Sequence, residues 1–298
     1  GWMVGAENGG MAAMFTMMNN ARLGVGVQGI GTADGAYQHA LAYALERRQS
    51  RTPVEGTGTI VDHADVRRML MSMKADIFAS RAIALSCSVA IDMQTATGDA
   101  DWAARAAFLT PITKAFGTDV GIDVAETGVQ VHGGMGFIEE TGAAQYCRDV
   151  RVTAIYEGTN GIQAMDLVAR KMMDGGEAAN RILDEIEAHA EAARASQPDL
   201  AEAVWQASES LREATDWLVG QKNLNDRFAG AVPYLRAFAR VLGGHFHLMA
   251  ALAEPGGARA ALARFYITCL LPEHAGLLVQ AQTGAEGLYA LSLDELAA

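Results

Sequence analysis

The stretch Gln130-Val-His-Gly-Gly-Met-Gly-Phe137 ends a long segment whose composition favours helix. Three of the four residues from Gly133 to Gly136 are glycine, so the backbone there can turn sharply and expose its N–H groups. A glycine-rich turn of this kind can cap a helix, or it can approach a phosphate group closely. The glycines alone leave both interpretations open.

A second stretch, Ile155-Tyr-Glu-Gly-Thr-Asn-Gly-Ile-Gln163, follows shortly after Arg148-Asp149. Its one acidic residue, Glu157, comes after an apolar and aromatic run and before Gly158. A carboxylate in such a partly dry setting can serve as a general base. Capping of the next helix would explain the same carboxylate. Glu157 by itself does not decide between the two.

Composition narrows the classes of protein to consider. The chain has 298 residues, 50% of them hydrophobic and 19% charged, and it is rich in Ala, Leu and Met, which favour helices. Its net charge of −12 repels a nucleic-acid backbone, so we expect no nucleic-acid partner. No apolar run has the length of a membrane span, and the three cysteines show no CxxC spacing. We therefore expect a cytoplasmic protein with reduced thiols and no membrane contact.

Apolar periodicity predicts an all-α protein, an up-and-down helical bundle followed by a second helical bundle. The first bundle is expected over 14–175 and the second over 177–298, with Gly175-Gly176 at the boundary. Residues 1–13 have the composition of a loop. The predicted helices cover 14–49, 62–97, 102–131, 142–147, 160–173, 177–195, 198–219, 225–253 and 259–282, the last kinked or broken at Pro272.

The first predicted helix is unusually rich in glycine. Its glycines are Gly24, Gly26, Gly29, Gly31 and Gly35. Each interior glycine costs about 1 kcal/mol relative to alanine. We therefore expect a neighbouring helix or a ligand to approach this backbone closely.

Taken together, the two quoted stretches resemble the acyl-CoA dehydrogenase family. The C-terminal helical domain of that family carries a Gln-x-x-Gly-Gly-x-Gly-[Phe/Tyr] loop, then Arg-Asp, then Ile-Tyr-Glu-Gly-Thr, in the order and similar spacing found here. The resemblance covers about residues 1–174. It implies FAD-dependent conversion of an acyl-CoA thioester to a trans-2-enoyl-CoA, with electrons passed to an electron-transfer flavoprotein.

The resemblance also implies roles for individual residues. Glu157 would accept the substrate's α-proton, its backbone N–H would stabilise the thioester oxygen, and Gly158 would lie against the thioester. Residues implied to contact FAD are Arg47, Gln130, Gly133, Gly134, Thr159, Asn160 and Gly161. In the family the glycine loop meets FAD bound mainly to the neighbouring subunit, which implies a homodimer or a dimer of dimers.

Upstream positions match the family less closely. Asn19-Asn20-Ala21-Arg22 lies where relatives have a substrate-binding Asp-x-x-Arg, so Arg22 matches and Asn19 replaces the acid. Arg47 falls where relatives place an arginine on an FAD phosphate, but the Phe-Gly that follows in relatives is Ser50-Arg51 here. These departures indicate a divergent branch of the family.

The resemblance has consequences for the ends of the chain. Residues 1–13 would be a linker from a missing middle β-domain, so this chain alone is expected to bind FAD weakly or not at all and to turn over no substrate. Residues 177–298 resemble the additional helical domain of longer members. The acyl group stays open between fatty acyl and short sulfur-containing acyl chains.

Two further alternatives concern function and metal. A non-catalytic helical binding or assembly module, related to alkylation-response flavoproteins, is the alternative to an enzyme. His245 and His247 are two residues apart on a predicted helix and face different sides of it, so we expect no metal site there.

Overall fold

The computed structural model describes the backbone of residues 1–298 and all side chains except that of Thr16. Regular structure is helical throughout, and no strand forms among the described residues. The first group of helices is α1 (Gly10–Glu46), α2 (Ala64–Thr97), α3 (Ala100–His132), α4 (Gly134–Phe137), α5 (Ala143–Arg151) and α6 (Asn160–Ala169). The predicted all-α architecture is confirmed, although α1 begins four residues earlier than the sequence predicted.

The ends of α2 and α3 follow ordinary capping chemistry. Gly98 adopts a left-handed conformation, φ 71°, and its N–H donates to the carbonyl of Gln94, which ends α2. The carboxylate of Asp99 then accepts from the N–H of Asp101 at 2.7 Å and begins α3. This tight connection holds α2 and α3 as antiparallel neighbours.

A seam of small residues joins α1 to α3. A Cβ added at Gly29 would lie 2.5 Å from the carbonyl oxygen of Gly117, and one added at Gly26 would lie 2.7 Å from that of Thr113. The expected close approach is therefore confirmed at these two glycines. Around Gly24 and Gly31, by contrast, no atom beyond the adjoining backbone of α1 lies within 4 Å of an added Cβ, so neither is explained by packing against another helix.

The second group of helices packs on the first. Its members are α7 (Glu177–Ala193), α8 (Pro198–Gly220), α9 (Leu224–Ala229), α10 (Ala231–Ala253), α11 (Ala258–Phe265), α12 (Glu273–Ala281) and α13 (Leu293–Ala297). A π-helical turn, Tyr266–Leu270, follows α11. Pro272 then precedes α12, so the break predicted at this proline is confirmed.

The single helix predicted over 225–253 is wrong, since the chain breaks at Gly230 into α9 and α10. The carbonyl oxygen of Ala281 lies 2.1 Å from where a Cβ at Gly230 would be. Only glycine fits so close to a second backbone. The contact with α12 explains the glycine, and Pro233 in the first turn of α10 cannot continue a helix from α9, because it has no N–H to donate to the carbonyl of Ala229.

An ion pair in the interior ties the two groups together. Arg240 on α10 is buried and donates to Asp76 on α2 and to Glu273 at the start of α12. The hydroxyl of Tyr266 donates to the backbone carbonyl of Arg240 at 3.2 Å.

Of the helices described, none combines the length and apolarity required to cross a bilayer.

Candidate active site

The turn that carries Glu157 has an unusual backbone. Glu157 has φ 55° and Gly158 has φ 83°, so two successive residues lie in the left-handed region. The side chain of Gln163, on the first turn of α6, donates to the carbonyl oxygens of Glu157 at 3.4 Å and Gly158 at 3.3 Å. A non-glycine residue in this region costs about 1–3 kcal/mol, and such strain concentrates at functional sites.

The carboxylate of Glu157 is partly withdrawn from solvent. The residue is half-buried, and its Oε2 atom is buried with no hydrogen-bond partner among the described residues. A buried polar atom without a partner is rare in native proteins and calls for an explanation. An oxygen reserved for a proton from a ligand would supply one.

A buried lysine lies beneath the turn. Lys114 on α3 is 0% exposed, and its Nζ donates to Oδ1 of Asn160 at 2.9 Å. Burial lowers the pKa of Lys114 to about 8, opposed by the nearby carboxylates of Asp119 and Glu157. Sequence reasoning missed this residue. The available signal was a lysine within the apolar run that extends from Phe108 to Phe116.

The side chain of Asn160 forms its hydrogen bonds within the protein. Besides accepting from Lys114, its amide donates to Asp119 at 2.6 Å and to Thr118 at 2.9 Å. Burial raises the pKa of Asp119, and the hydrogen bond from Asn160 lowers it. Thr159 caps α6, because its hydroxyl accepts from the N–H of Ile162 at 3.3 Å. These side chains position α6, and Gly161 follows them within its first turn.

Arg22 reaches the same turn from α1. It is 5% exposed and pairs with Asp166 on α6, Nη1 to Oδ2 at 3.4 Å. A Cβ added at Gly158 would lie 3.7 Å from Nη2 of Arg22. The structure therefore brings Arg22 against Glu157-Gly158, and its burial shows that Arg22 is not a surface cation.

Asn19 lies one helical turn before Arg22, and both line a cavity of about 360 Å³ between α1, α2 and α3. The side chain of Asn19 is exposed. Thr110 and Pro111 of α3 form part of the opposite wall. The two upstream positions singled out by sequence thus share one cavity that opens beside α3.

The glycine turn lies at the far end of α3. Lys114 and Gln130 are 16 residues apart on this helix, from 114 to 130, which at 1.5 Å per residue is about 24 Å. Gln130 is exposed, and Gly133 has φ 61°. Within one chain, therefore, the glycine turn and the Glu157 turn do not form a single site.

Arg47, which ends α1, lies together with the glycine turn. Arg47, His132 and Gly133 line one cleft of about 230 Å³. No described atom lies within 4 Å of a Cβ added at Gly133 or Gly134, so a ligand could approach the backbone there. An arginine beside open glycine backbone fits the phosphate groups of a dinucleotide.

Comparison with known proteins gives two family matches. Residues 8–173 match the family described as "Acyl-CoA dehydrogenase, C-terminal domain". Residues 182–292 match the family described as "Acetyl-CoA dehydrogenase C-terminal like". The first match covers more than half of the chain.

Curated relatives include a 3-methylmercaptopropionyl-CoA dehydrogenase of Ruegeria pomeroyi, 43% identical over 250 residues, which are 79% of this chain and 42% of the relative. A butyryl-CoA dehydrogenase of Syntrophomonas wolfei is 33% identical over 308 residues, covering 92% of this chain and 50% of the relative. The chain thus spans half or less of the length of these relatives.

Among solved structures, Caenorhabditis elegans ACDH-11 in complex with C11-CoA superposes with a TM-score of 0.76 at 21% identity, over 91% of this chain and 46% of that one. An acyl-CoA dehydrogenase from Bacillus anthracis complexed with FAD gives 0.69 at 18% identity, over 93% of this chain and 50% of that one. These two superpositions show the fold. The family matches and the curated relatives show that the chain belongs to the acyl-CoA dehydrogenase family.

Proposed function

We propose that this protein catalyses the FAD-dependent α,β-dehydrogenation of an acyl-CoA thioester to a trans-2-enoyl-CoA, with Glu157 as the acceptor of the α-proton. The observation that carries the proposal is the buried, unpartnered Oε2 of Glu157 on a left-handed turn. Arg22 and Lys114 flank that turn from two different helices. Membership of the family and the names of its relatives support the reaction class.

The reaction requires two C–H bonds to break. The α C–H bond gives its proton to the carboxylate of Glu157, and its electron pair forms the new C=C bond. The β-hydrogen leaves with the electron pair of its bond, for which bound FAD supplies the acceptor. Negative charge that builds on the thioester oxygen needs a donor, and the resemblance assigns this task to the backbone N–H of Glu157.

The surrounding charges suit a base. Before the reaction the carboxyl group of Glu157 must be ionised to accept a proton, and the ammonium of Lys114 is close enough for the two charges to interact. Glycine is required at position 158, because a Cβ there would lie 2.7 Å from Nε2 of Gln163 and the backbone has φ 83°. Arg22, with Asn19 beside it, is proposed to bind the acyl-CoA from the α1 side.

FAD is proposed to span two subunits. Gln130, Gly133, Gly134 and Arg47 would hold the phosphate-bearing part, at the end of α3 remote from Glu157. Thr159, Asn160 and Gly161 would lie near the reacting part of a second FAD. Since these two sets are at opposite ends of α3 in one chain, a homodimer or a dimer of dimers would complete each site.

Residues 1–298 alone are proposed to bind FAD weakly and to turn over no substrate, because the matched relatives are about twice as long. An absorbance spectrum of the purified chain tests this statement. We expect little flavin. Stoichiometric FAD would contradict it.

The substrate is proposed to be a short acyl-CoA, since the two relatives named above are described by butyryl and 3-methylmercaptopropionyl groups. Anaerobic addition of each of these thioesters to the FAD-loaded holoenzyme should bleach the flavin absorbance and yield the enoyl-CoA. Palmitoyl-CoA should do so far more slowly. An electron-transfer flavoprotein is the proposed acceptor. A flavin that stays oxidised with every acyl-CoA would overturn the proposed reaction.

A further inference from the structure

Three potential metal ligands meet between α7 and α10, outside the Glu157 turn. Glu185 and His189 lie four residues apart on α7, a spacing that places them on one helix face. His245 approaches from α10. One ligand atom from each of the three lies within 4.8 Å of the others.

Each of the two imidazoles has a buried nitrogen that forms no hydrogen bond. Nδ1 of His189 and Nδ1 of His245 are buried and have no hydrogen-bond partner among the described residues. His245 is 3% exposed, and its ring stacks on that of His189 at 5.2 Å between centroids. A buried polar atom without a partner is costly, and an ion or a water bound to these nitrogens would remove that cost.

The neighbouring histidine has a different role. Nε2 of His247 pairs with the carbonyl oxygen of Ala75 at 3.1 Å, and its ring stacks on Tyr266. The sequence-based expectation that His245 and His247 face different sides therefore holds. It missed His189, because 56 residues separate it from His245, from 189 to 245.

The carboxylate is already oriented. Arg105 on α3 donates to both oxygens of Glu185, Nη1 to Oε2 at 2.6 Å and Nη2 to Oε1 at 3.3 Å. A carboxylate has about four lone-pair positions, so it can accept from Arg105 and still bind a cation. Carboxylates that bind metals are commonly oriented by such an outer hydrogen bond.

The donor set suits a transition metal ion. Two imidazole nitrogens and one carboxylate oxygen are ligands that Zn²⁺ takes. Tetrahedral ligands at about 2.0–2.2 Å from the ion lie roughly 3.4 Å apart, which small side-chain rotations would reach from here.

We propose that Glu185, His189 and His245 form a binding site for a divalent transition metal ion of the Zn²⁺ class, which links α7 to α10. Three protein ligands leave one position for water. The alternative occupant is a single buried water molecule that bridges Nδ1 of His189 and Nδ1 of His245. The proposal is independent of the dehydrogenase reaction, since the site shares no residue with the Glu157 turn.

The test is a titration of the chelator-treated chain with Zn²⁺, followed by calorimetry, and with Co²⁺, followed by visible absorbance. We expect one tightly bound ion per chain, the absorbance of a tetrahedral cobalt site, and a higher midpoint of thermal unfolding with metal. His189→Gln and Glu185→Gln, at half-buried positions, should each weaken binding by about tenfold or more. His245→Gln should do the same if it folds.

His274→Gln is the matched control. His274 lies on α12, where its Nδ1 pairs with the carbonyl oxygen of Leu271 at 2.6 Å, and its replacement should leave the affinity unchanged. Absence of binding to the unsubstituted chain would mean a bridging water only and would overturn the proposal. Equal affinity in the His189 and Glu185 variants would also overturn it, because the ion would then bind elsewhere.

Discussion

Lys114 on α3 donates from Nζ to Oδ1 of Asn160 at 2.9 Å, and Asn160 is the third residue after Glu157. A fully buried ammonium thus fixes the start of α6 and the end of the Glu157 turn against α3. The same ammonium is close enough to Glu157 for their charges to interact. This lysine therefore connects the packing of the bundle with the electrostatics of the proposed base.

Lys114→Met should change how stability depends on pH. Burial lowers the pKa of Lys114 from 10.5 to about 8, so between these values the unfolded chain holds a proton that the folded chain has released. Stability rises with pH wherever the unfolded state binds more protons. The contribution of Lys114 should therefore rise across this window, by at most about 3 kcal/mol.

Urea unfolding of both proteins at about pH 7.5 and about pH 9.5 measures this effect. The unsubstituted chain should gain more stability, or lose less, than Lys114→Met between the two pH values. The comparison cancels groups common to both proteins. Identical pH dependence in the two would mean that Lys114 is not buried as a cation.

Gly29→Ala and Gly24→Ala should have opposite effects, although both lie on α1. A Cβ at Gly29 would lie 2.5 Å from the carbonyl oxygen of Gly117, and a backbone atom cannot easily move away. Such overpacking costs about 1–3 kcal/mol. Gly24 has open space around it, so alanine there should stabilise the helix by about 0.5–1 kcal/mol. Denaturant unfolding measures both, and equal effects would rule out the α1–α3 seam.

Arg240→Met should destabilise the chain strongly, because it leaves Asp76 buried without its cation. Breaking a buried pair from one side costs about 3–5 kcal/mol, whereas replacing both partners by apolar residues is often nearly neutral. The double variant Asp76→Leu/Arg240→Met should therefore recover most of the loss. The free energies of unfolding of the unsubstituted chain, the two single variants and the double variant at neutral pH give the double-mutant cycle. Additive effects would show that the pair does not couple the two helical groups.

The motifs of the sequence predicted the family and the helical architecture, because helix periodicity and turn glycines are local signals. The contacts of Lys114 and His189 escaped notice for a different reason. Their partners, Asn160 and His245, lie 46 and 56 residues away, and a contact between helices leaves no local pattern. The break at Gly230 was missed although Pro233, three residues later, is a local signal for it.

The same limit of local sequence applies to the two predicted parts of the site, the Glu157 turn and the glycine turn. Sequence spacing could not show that Arg22 is buried against Gly158, or that Arg47 and Gly133 share a cleft. It also could not show that these two places lie at opposite ends of α3. The roles of individual residues in substrate and FAD binding stay predictions until holoenzyme variants are assayed.

The most direct measurement is the turnover of butyryl-CoA or 3-methylmercaptopropionyl-CoA by the Glu157→Gln variant of the full-length, FAD-loaded enzyme, since residues 1–298 alone are proposed to turn over no substrate. The amide keeps the size of the side chain but cannot accept the α-proton, so kcat should fall by about 10²–10⁴-fold while the flavin content stays the same. Glu213→Gln, at an exposed position on α8, is the control and should retain full activity. A Glu157→Gln enzyme that turns over as fast as the control would contradict the assignment of Glu157 as the base.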